Sequence, residues 1–177
     1  MRKIEVKPIG HIIDTIPESN ACYILCSTDP LIISGKDAKE YSNVINVVFK
    51  DIPYYAPPDS FTTEQAEQIK DFLERIDPAV QLFVCCDFGI SRSPAVAAAI
   101  ILKDSGYDEQ KENWADEEIW GNPHFEPNSW VFQVLCKVLG VKITTQGITK
   151  REAFNARAIK DHARRLRDNS SYKDSSK

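Results

Sequence analysis

The chain has 177 residues, 42% of them hydrophobic, which is enough for one domain with a core and too few for two domains of ordinary size. No apolar stretch reaches the roughly 20 residues of a membrane-spanning helix, and no apolar signal-peptide core follows Met-Arg-Lys, so we expect a cytoplasmic protein without a membrane partner. The net charge of -4 is uneven, because residues 150–177 carry nine Lys or Arg against four Asp or Glu.

Two short runs in the first third of the chain predict buried strands. Residues 21–26 and 44–49 are rich in β-branched, aromatic and other apolar side chains, and polar or turn residues bound both runs. Apolar residues then recur at helical spacing over residues 62–76, behind a stretch of capping residues. This spacing predicts an amphipathic helix.

The middle of the chain has the order strand, loop, helix. Residues 80–84 form a short apolar run, Gly89 lies in the loop, and Pro94 falls in the first turn of a nearly all-apolar helix. A further helix is predicted from about residue 129 to 139. Strands alternating with helices favour an α/β fold, with one central, largely parallel sheet flanked by helices.

The C-terminal part differs from the rest in its basic character. We divide the chain into a folded domain over residues 1–145, a basic C-terminal helix over 146–168 and a disordered tail over 169–177. The helix carries a narrow apolar stripe formed by Ala156, Ile159, Ala163 and Leu166. Because Phe154 is the only aromatic residue among its charges, we expect it to pack on the body and not to bind nucleic acid.

The loop after residue 84 has the architecture of an anion site. The first N–H groups of the following helix are unpaired, and the helix dipole places partial positive charge there, which favours the thiolate of Cys86. Gly89 allows backbone N–H groups to turn inward as a nest for phosphate oxygens, and Asp87 fits such a loop if its side chain points outward. The predicted phosphate-binding residues are Asp87, Phe88, Gly89, Ile90, Ser91 and Arg92.

Three side chains around this loop have the chemistry of phosphoryl transfer. Cys86 is the candidate nucleophile, and Arg92, six residues later, can hold two phosphate oxygens with its planar guanidinium. Ser93 can offer its hydroxyl to the sulfur and help Cys86 depart from phosphorus. The Cys-x5-Arg spacing alone is common, and the preceding strand, the glycine and the following helix make it specific.

Residues 84–93, Val-Cys-Cys-Asp-Phe-Gly-Ile-Ser-Arg-Ser, resemble the His-Cys-x5-Arg-Ser signature of the protein tyrosine phosphatase superfamily. The alanine-rich helix that follows is similar to its dual-specificity-like branch. The resemblance implies a protein phosphatase without metal or cofactor that acts through a cysteinyl-phosphate intermediate. Its partner would be a phosphorylated protein or peptide carrying phosphotyrosine, with phosphoserine and phosphothreonine as further candidates.

The sequence departs from this family at Cys85, where the family has a histidine that orders the loop. We favour the interpretation that Cys85 is a small buried hydrophobe at the end of a strand. Alternatively, it forms a disulfide with Cys86 on oxidation. Because vicinal disulfides are strained, Cys22, Cys26 and Cys136 are also candidate partners for Cys86.

The resemblance also implies a general acid, an aspartate roughly 30 to 35 residues before the nucleophile. Asp51 and Asp59 are the candidates, and we favour Asp51 because it directly follows a predicted strand. On the same loop, Tyr54 and Tyr55 either flank a phosphotyrosine ring or pack the loop down, and we favour packing.

Other functions are open at this stage. The missing histidine motivates a catalytically weak phosphate-binding adaptor, and members of the superfamily also act on RNA 5′ ends or lipid phosphates. A low-molecular-weight phosphatase is disfavoured, because its loop follows the first strand, whereas more than 80 residues precede Cys86 here.

Overall fold

The computed structural model describes residues 2–109 and 114–174, and of residues 168–174 it describes the backbone alone. Within these ranges the chain forms strands and helices in the order β1 (Ile4–Pro8), β2 (Ala21–Ser27), β3 (Ile32–Ile33), β4 (Lys36–Asp37), β5 (Val44–Val48), α1 (Thr63–Arg75), β6 (Gln81–Cys86), α2 (Arg92–Asp104), α3 (Glu117–Trp120), α4 (Ser129–Val138) and α5 (Thr145–Asp174). None of the helices in the described part is long and apolar enough to cross a bilayer.

The central sheet has four strands in the order β1-β6-β2-β5, and every pair in it is parallel. The prediction of an α/β fold around a parallel sheet is therefore confirmed. Because all four strands run in one direction, their carboxyl ends meet at one edge, which is where α/β sheets bind ligands. The residues that end these strands are Pro8, Ser27, Val48 and Cys86.

Strand β1 was not predicted from the sequence. Its residues alternate between apolar and charged side chains, and it is only partly buried. The strand lies at the edge of the sheet and pairs with β6 from Ile4 opposite Leu82 to Pro8 opposite Cys86. A short edge strand needs little apolar surface, so its sequence carries a weak signal.

The two faces of the sheet are covered differently. Helices α1, α2 and α4 pack over one face and enclose the larger core. Alanines at positions 95 and 97–99 of α2 are fully buried, which allows the backbone of this helix to approach the sheet closely. Residues 9–13 and the segment around the β3–β4 hairpin cover the opposite face.

Helix α5 begins earlier and runs further than its sequence predicts. The hydroxyl of Thr144 accepts a hydrogen bond from the N–H of Gly147 at 3.0 Å and caps the helix, which therefore starts at Thr145. No Gly or Pro interrupts the segment after residue 168, and the backbone stays helical to Asp174 across six residues of the predicted disordered tail. Residues 175–177 of that tail lie outside the described part.

The predicted packing stripe of α5 was wrong. Ala156 and Ala163 are exposed, and Leu166 is 57% exposed. The buried positions lie earlier in the helix and include the polar residues Arg151 and Asn155. Hydropathy could not identify this face, because its burial depends on polar partners elsewhere in the chain.

A buried ion pair fastens α5 to the body. Arg151 donates to both carboxylate oxygens of Asp116, at 2.7 Å and 2.9 Å, and both side chains are at most 2% exposed. The rings of Tyr107, Trp114 and Phe132 lie within 6 Å of the guanidinium. The start of α5 is thus an integral part of the domain, in agreement with the expected packing on the body.

Candidate active site

The predicted site residues converge at the carboxyl edge of the sheet. Residues 87–91 connect β6 to α2, Thr28 follows β2, and Asp51 follows β5. Side-chain hydrogen bonds join Thr28 to Asp87 and Ser91 to Asp51, although 59 and 40 residues separate them in the chain. The parallel topology therefore assembles one polar site from three strand ends.

Gly89 gives the loop its shape. Its φ is +70°, in the left-handed region, and its N–H donates to the carbonyl of Cys86 at 3.2 Å. A Cβ at this position would lie 2.8 Å from the nitrogen of Pro8 and 2.9 Å from the carbonyl carbon of Lys7. Glycine is thus required both by the turn and by the close approach of β1, and its contribution is conformational.

The remaining backbone donors of the loop are available. Among the described residues, no acceptor takes the N–H groups of Asp87, Phe88, Ile90 or Ser91. These groups lead directly into the first turn of α2, whose own N–H groups are unpaired by the geometry of a helix start. A loop of free N–H groups at a helix N-terminus is suited to an anion.

Cys86 lies at the base of this loop and is 2% exposed. The hydroxyl of Ser93, in the first turn of α2, donates to its sulfur at 3.0 Å. Ser93 is fully buried, so the hydroxyl has little freedom to turn away. This is the contact that the predicted role of Ser93 requires, because a hydrogen bond to sulfur stabilises a departing thiolate.

Arg92 holds its guanidinium beneath the surface, at 3% exposure. One terminal nitrogen donates to the carbonyl of Phe49 at 2.8 Å, and the other pairs with the carboxylate of Asp87 at 2.5 Å. The Nε–H is buried and has no partner among the described residues. A buried, unpaired donor is costly, and an oxyanion that reached this nitrogen would supply the missing acceptor.

The side chain of Asp87 does not point outward, which was the condition for this residue to fit a phosphate-binding loop. Its carboxylate turns to Arg92 and also accepts a hydrogen bond from the hydroxyl of Thr28 at 3.0 Å. The physical reason is the charge of Arg92, which would be costly to bury without a partner of opposite sign. Asp87 therefore binds the group that was predicted to hold phosphate.

Exposed apolar side chains lie on the loop 87–91 and on the loop after β5. Phe88 is 79% exposed and Ile90 is 44% exposed on the loop itself. On the loop after β5, Tyr54 and Tyr55 are 64% and 63% exposed. The ring of Tyr55 lies 5.7 Å from that of Trp130, but both tyrosines are mostly exposed, so the favoured interpretation that they pack the loop down holds for Tyr55 in part and not for Tyr54.

Of the two candidate acids, the structure brings Asp51 to the loop. Its Oδ1 accepts hydrogen bonds from the Ser91 hydroxyl at 2.9 Å and from the Asn128 amide at 2.7 Å. Asp59 instead forms an ion pair with Lys50 at 2.9 Å. Asn128 was missed by the sequence analysis, since its place before α4 signals a helix cap but not a contact 77 residues away.

Cys85 and Cys86 point to opposite faces of β6, because successive strand residues alternate. Cys85 is fully buried with the smaller core, and burial raises its pKa to about 12. This agrees with the favoured interpretation of Cys85 as a core residue. Cys26 pairs in register with Cys86 and shares its face, and burial raises the pKa of Cys26 as well. All five thiols are free.

No group of three or more His, Cys, Asp or Glu side chains in the described part of the chain is arranged to hold a metal ion. No family model matches the sequence, and no similar curated protein was found. Among solved structures, a crystal structure of PTPMT1 in complex with PI(5)P is similar, with 15% identity over 75% of this chain and 81% of that one, and a TM-score of 0.45.

Proposed function

We propose that the chain is a phosphate monoesterase in which Cys86 is the nucleophile and the loop 87–91 with Arg92 binds the phosphoryl group. The observation that carries this proposal is the hydrogen bond from the Ser93 hydroxyl to the Cys86 sulfur at the base of the loop. A loop that only binds phosphate has no need of a thiol with a hydroxyl directed at it. A catalytic loop needs both, because sulfur must attack phosphorus and later leave it.

The first step transfers the phosphoryl group to sulfur. The thiolate of Cys86 attacks phosphorus as the bond from phosphorus to the leaving oxygen breaks, and a proton from Asp51 neutralises that oxygen. The free N–H groups of the loop and the guanidinium of Arg92 stabilise the charge on the phosphoryl oxygens. The products of this step are the free alcohol or phenol and a cysteinyl-phosphate.

The second step regenerates the enzyme. Water attacks phosphorus, and the carboxylate of Asp51 accepts the proton that the water gives up. The bond from phosphorus to sulfur breaks, and Cys86 leaves as a thiolate that accepts the Ser93 hydrogen bond. Inorganic phosphate is released, and Asp51 carries its proton again.

For the substrate we favour a phosphorylated protein or peptide, with phosphotyrosine first and phosphoserine or phosphothreonine as further candidates. This choice is supported by the exposed rings of Phe88, Tyr54 and Tyr55, which offer surface for stacking against a phosphotyrosine side chain. Lipid phosphates and RNA 5′ ends are the alternatives. A panel of phosphopeptides, phosphoinositides and 5′-phosphorylated RNA, assayed for phosphate release, distinguishes these classes.

The test of the reaction itself is turnover of para-nitrophenyl phosphate without added metal. We expect Cys86→Ser to lower kcat by about 10⁴-fold or more, because removing the nucleophile removes the covalent route. Cys136→Ser is the matched control, since Cys136 is a buried thiol of α4 near the Asp116–Arg151 pair. This control should keep its activity.

Two results would contradict the proposal. If Cys86→Ser hydrolyses para-nitrophenyl phosphate as fast as the wild type, turnover does not pass through this thiol. Tight binding of phosphate or a phosphopeptide without Cys86-dependent turnover would instead support the phosphate-binding adaptor.

A further inference from the structure

The two oxygens of the Asp51 carboxyl group are in different environments. Oδ1 accepts two hydrogen bonds, from the Ser91 hydroxyl at 2.9 Å and from Nδ2 of Asn128 at 2.7 Å. Oδ2 takes part in neither. In a protonated carboxyl group, the oxygen that accepts hydrogen bonds is the carbonyl oxygen, so the proton resides on the other one.

We propose that Asn128 is a positioning residue for the general acid, which holds Oδ1 of Asp51 as the carbonyl oxygen and thereby leaves the transferable proton on Oδ2. This inference rests on the proposed function, because it assigns a role within that reaction. Asn128 does not itself touch the substrate. It acts through Asp51, because it determines which of the two carboxyl oxygens carries the proton for the leaving group.

The orientation of the Asn128 amide is determined by its other contacts. Its Oδ1 accepts from the N–H groups of Trp130 and Val131, both at 3.1 Å, and so caps α4. Its Nδ2 must therefore face the other way, where it donates to Asp51 and, at 3.2 Å, to the carbonyl of Ile52. A flipped amide would lose all of these contacts.

Asn128 also connects the acid to the phosphate loop. Its backbone N–H donates to the carbonyl of Ser91 at 3.2 Å, and the Ser91 hydroxyl reaches the same Asp51 oxygen as the Asn128 amide. The side chain is 4% exposed, so water competes little for these bonds. Asn128 thus holds three parts of the site together: the loop that carries Asp51, the loop 87–91 and the start of α4.

In the first step, the proton leaves Oδ2 for the oxygen of the departing alcohol or phenol, and Asp51 becomes a carboxylate. The two donors on Oδ1 then stabilise the negative charge, because hydrogen bonds to an ionised acceptor are the stronger ones. In the second step, Oδ2 accepts the proton from the attacking water. The donors on Oδ1 remain in place through both steps, so no rearrangement is needed.

The test compares two substrates that differ in their need for a proton. Phenolate is a poorer leaving group than para-nitrophenolate, so turnover of phenyl phosphate depends more strongly on the acid. We expect Asn128→Ser to lower kcat for phenyl phosphate about 10- to 100-fold and for para-nitrophenyl phosphate less than about threefold. Serine keeps the helix cap, but its hydroxyl is too short to reach Asp51.

A matched control separates positioning from stability. Asn155 is also buried, and its amide donates to the carbonyls of Trp120, Asn122 and Phe125 but to no atom of Asp51 or of the loop 87–91. Asn155→Ser should therefore leave the ratio of the two rates unchanged. If Asn128→Ser does not fold, Asn128→Thr also keeps a capping hydroxyl, fills more of the space and lacks a donor that reaches Asp51, and it should change the ratio in the same direction.

A double-mutant cycle with Asp51→Asn decides whether Asn128 acts through the acid. In the Asp51→Asn background, Asn128→Ser should cause no further loss with phenyl phosphate. An equal loss in both backgrounds, or an unchanged ratio in a folded Asn128 variant, would overturn the inference while leaving the phosphatase intact. Wild type without Cys86-dependent turnover would mean that the proposed function itself fails, and the inference would fall with it.

Discussion

At the scale of single residues, Asp87 has the least expected contacts in the site. Its carboxylate pairs with Arg92 and accepts a hydrogen bond from Thr28, so a negatively charged group already lies against the guanidinium. A phosphate dianion has to compete with this carboxylate for the same nitrogen. Asp87 therefore weakens phosphate binding while it stabilises the buried charge of Arg92.

We expect Asp87→Asn to bind inorganic phosphate more tightly than wild type, by about threefold to tenfold. The effect is modest because the Asp87 side chain is 36% exposed, and solvent screens its charge. The measurement is the competitive inhibition constant of phosphate against para-nitrophenyl phosphate. Asp71→Asn, an exposed change of equal charge on α1, is the control. Unchanged inhibition in Asp87→Asn would show that the carboxylate moves aside without cost.

The sequence predicted single-residue chemistry well where the partners are local. Cys86, Arg92 and Ser93 lie within eight consecutive residues, so their spacing alone indicated that they meet. Asn128 and Thr28 lie far from the loop in sequence: Thr28 reaches it because β2 and β6 end at the same edge of the sheet, and Asn128 because it caps α4, which packs beside α2. Such contacts leave no local pattern to read.

At the scale of elements, the loop 87–91 depends on a strand at the other end of the sequence. The Lys7–Pro8 peptide of β1 lies directly against Gly89, which is why no side chain fits there. A substitution at this position therefore lowers stability for two separate reasons. One is the left-handed backbone conformation, and the other is the contact with β1.

Gly89→Ala and Gly140→Ala separate these two costs. Both glycines have positive φ, +70° and +73°, but a Cβ at Gly140 meets nothing within 4 Å. We expect Gly140→Ala to cost about 1–2 kcal/mol of unfolding free energy and to keep full activity. Gly89→Ala should cost more and should lose phosphate binding, measured by phosphate inhibition and denaturant unfolding. Equal stability losses and retained phosphate binding would contradict the role of the β1 contact.

Elements with a strong local period were predicted and those fixed by tertiary contacts were not. Helix α1 and strands β2, β5 and β6 have clear apolar patterns, and the structure places them close to the predicted ranges. Strand β1 and the buried face of α5 have polar or mixed sequences, and distant partners determine their burial. The hydropathy of a segment gives no information about its contacts with distant parts of the chain.

At the scale of the whole molecule, the ion pair between Asp116 and Arg151 joins the C-terminal helix to the body. Removing one partner leaves the other charge buried in an apolar setting of aromatic rings. We expect Asp116→Ala to lower the free energy of unfolding by about 3–5 kcal/mol, measured by denaturant titration.

The control for this prediction is Asp59→Ala, which removes the exposed pair with Lys50 and should cost at most about 1 kcal/mol. If the two variants lose similar stability, α5 contributes little to the fold of the body. A folded domain without α5 would then be expected, with the same active site.

The contact between β1 and Gly89 also has a consequence for the order in which the molecule folds. Roughly eighty residues separate Pro8 from Gly89. Bringing the ends of so long a segment together loses more conformational entropy than forming a local helix does. Helices α1 and α2 and the hairpin can form before that closure, whereas the loop acquires its final shape only once the first strand has docked beside the last. The ability to hold an anion therefore belongs to the completed sheet, and a partly folded chain can contain the whole Cys-x5-Arg segment and still lack it.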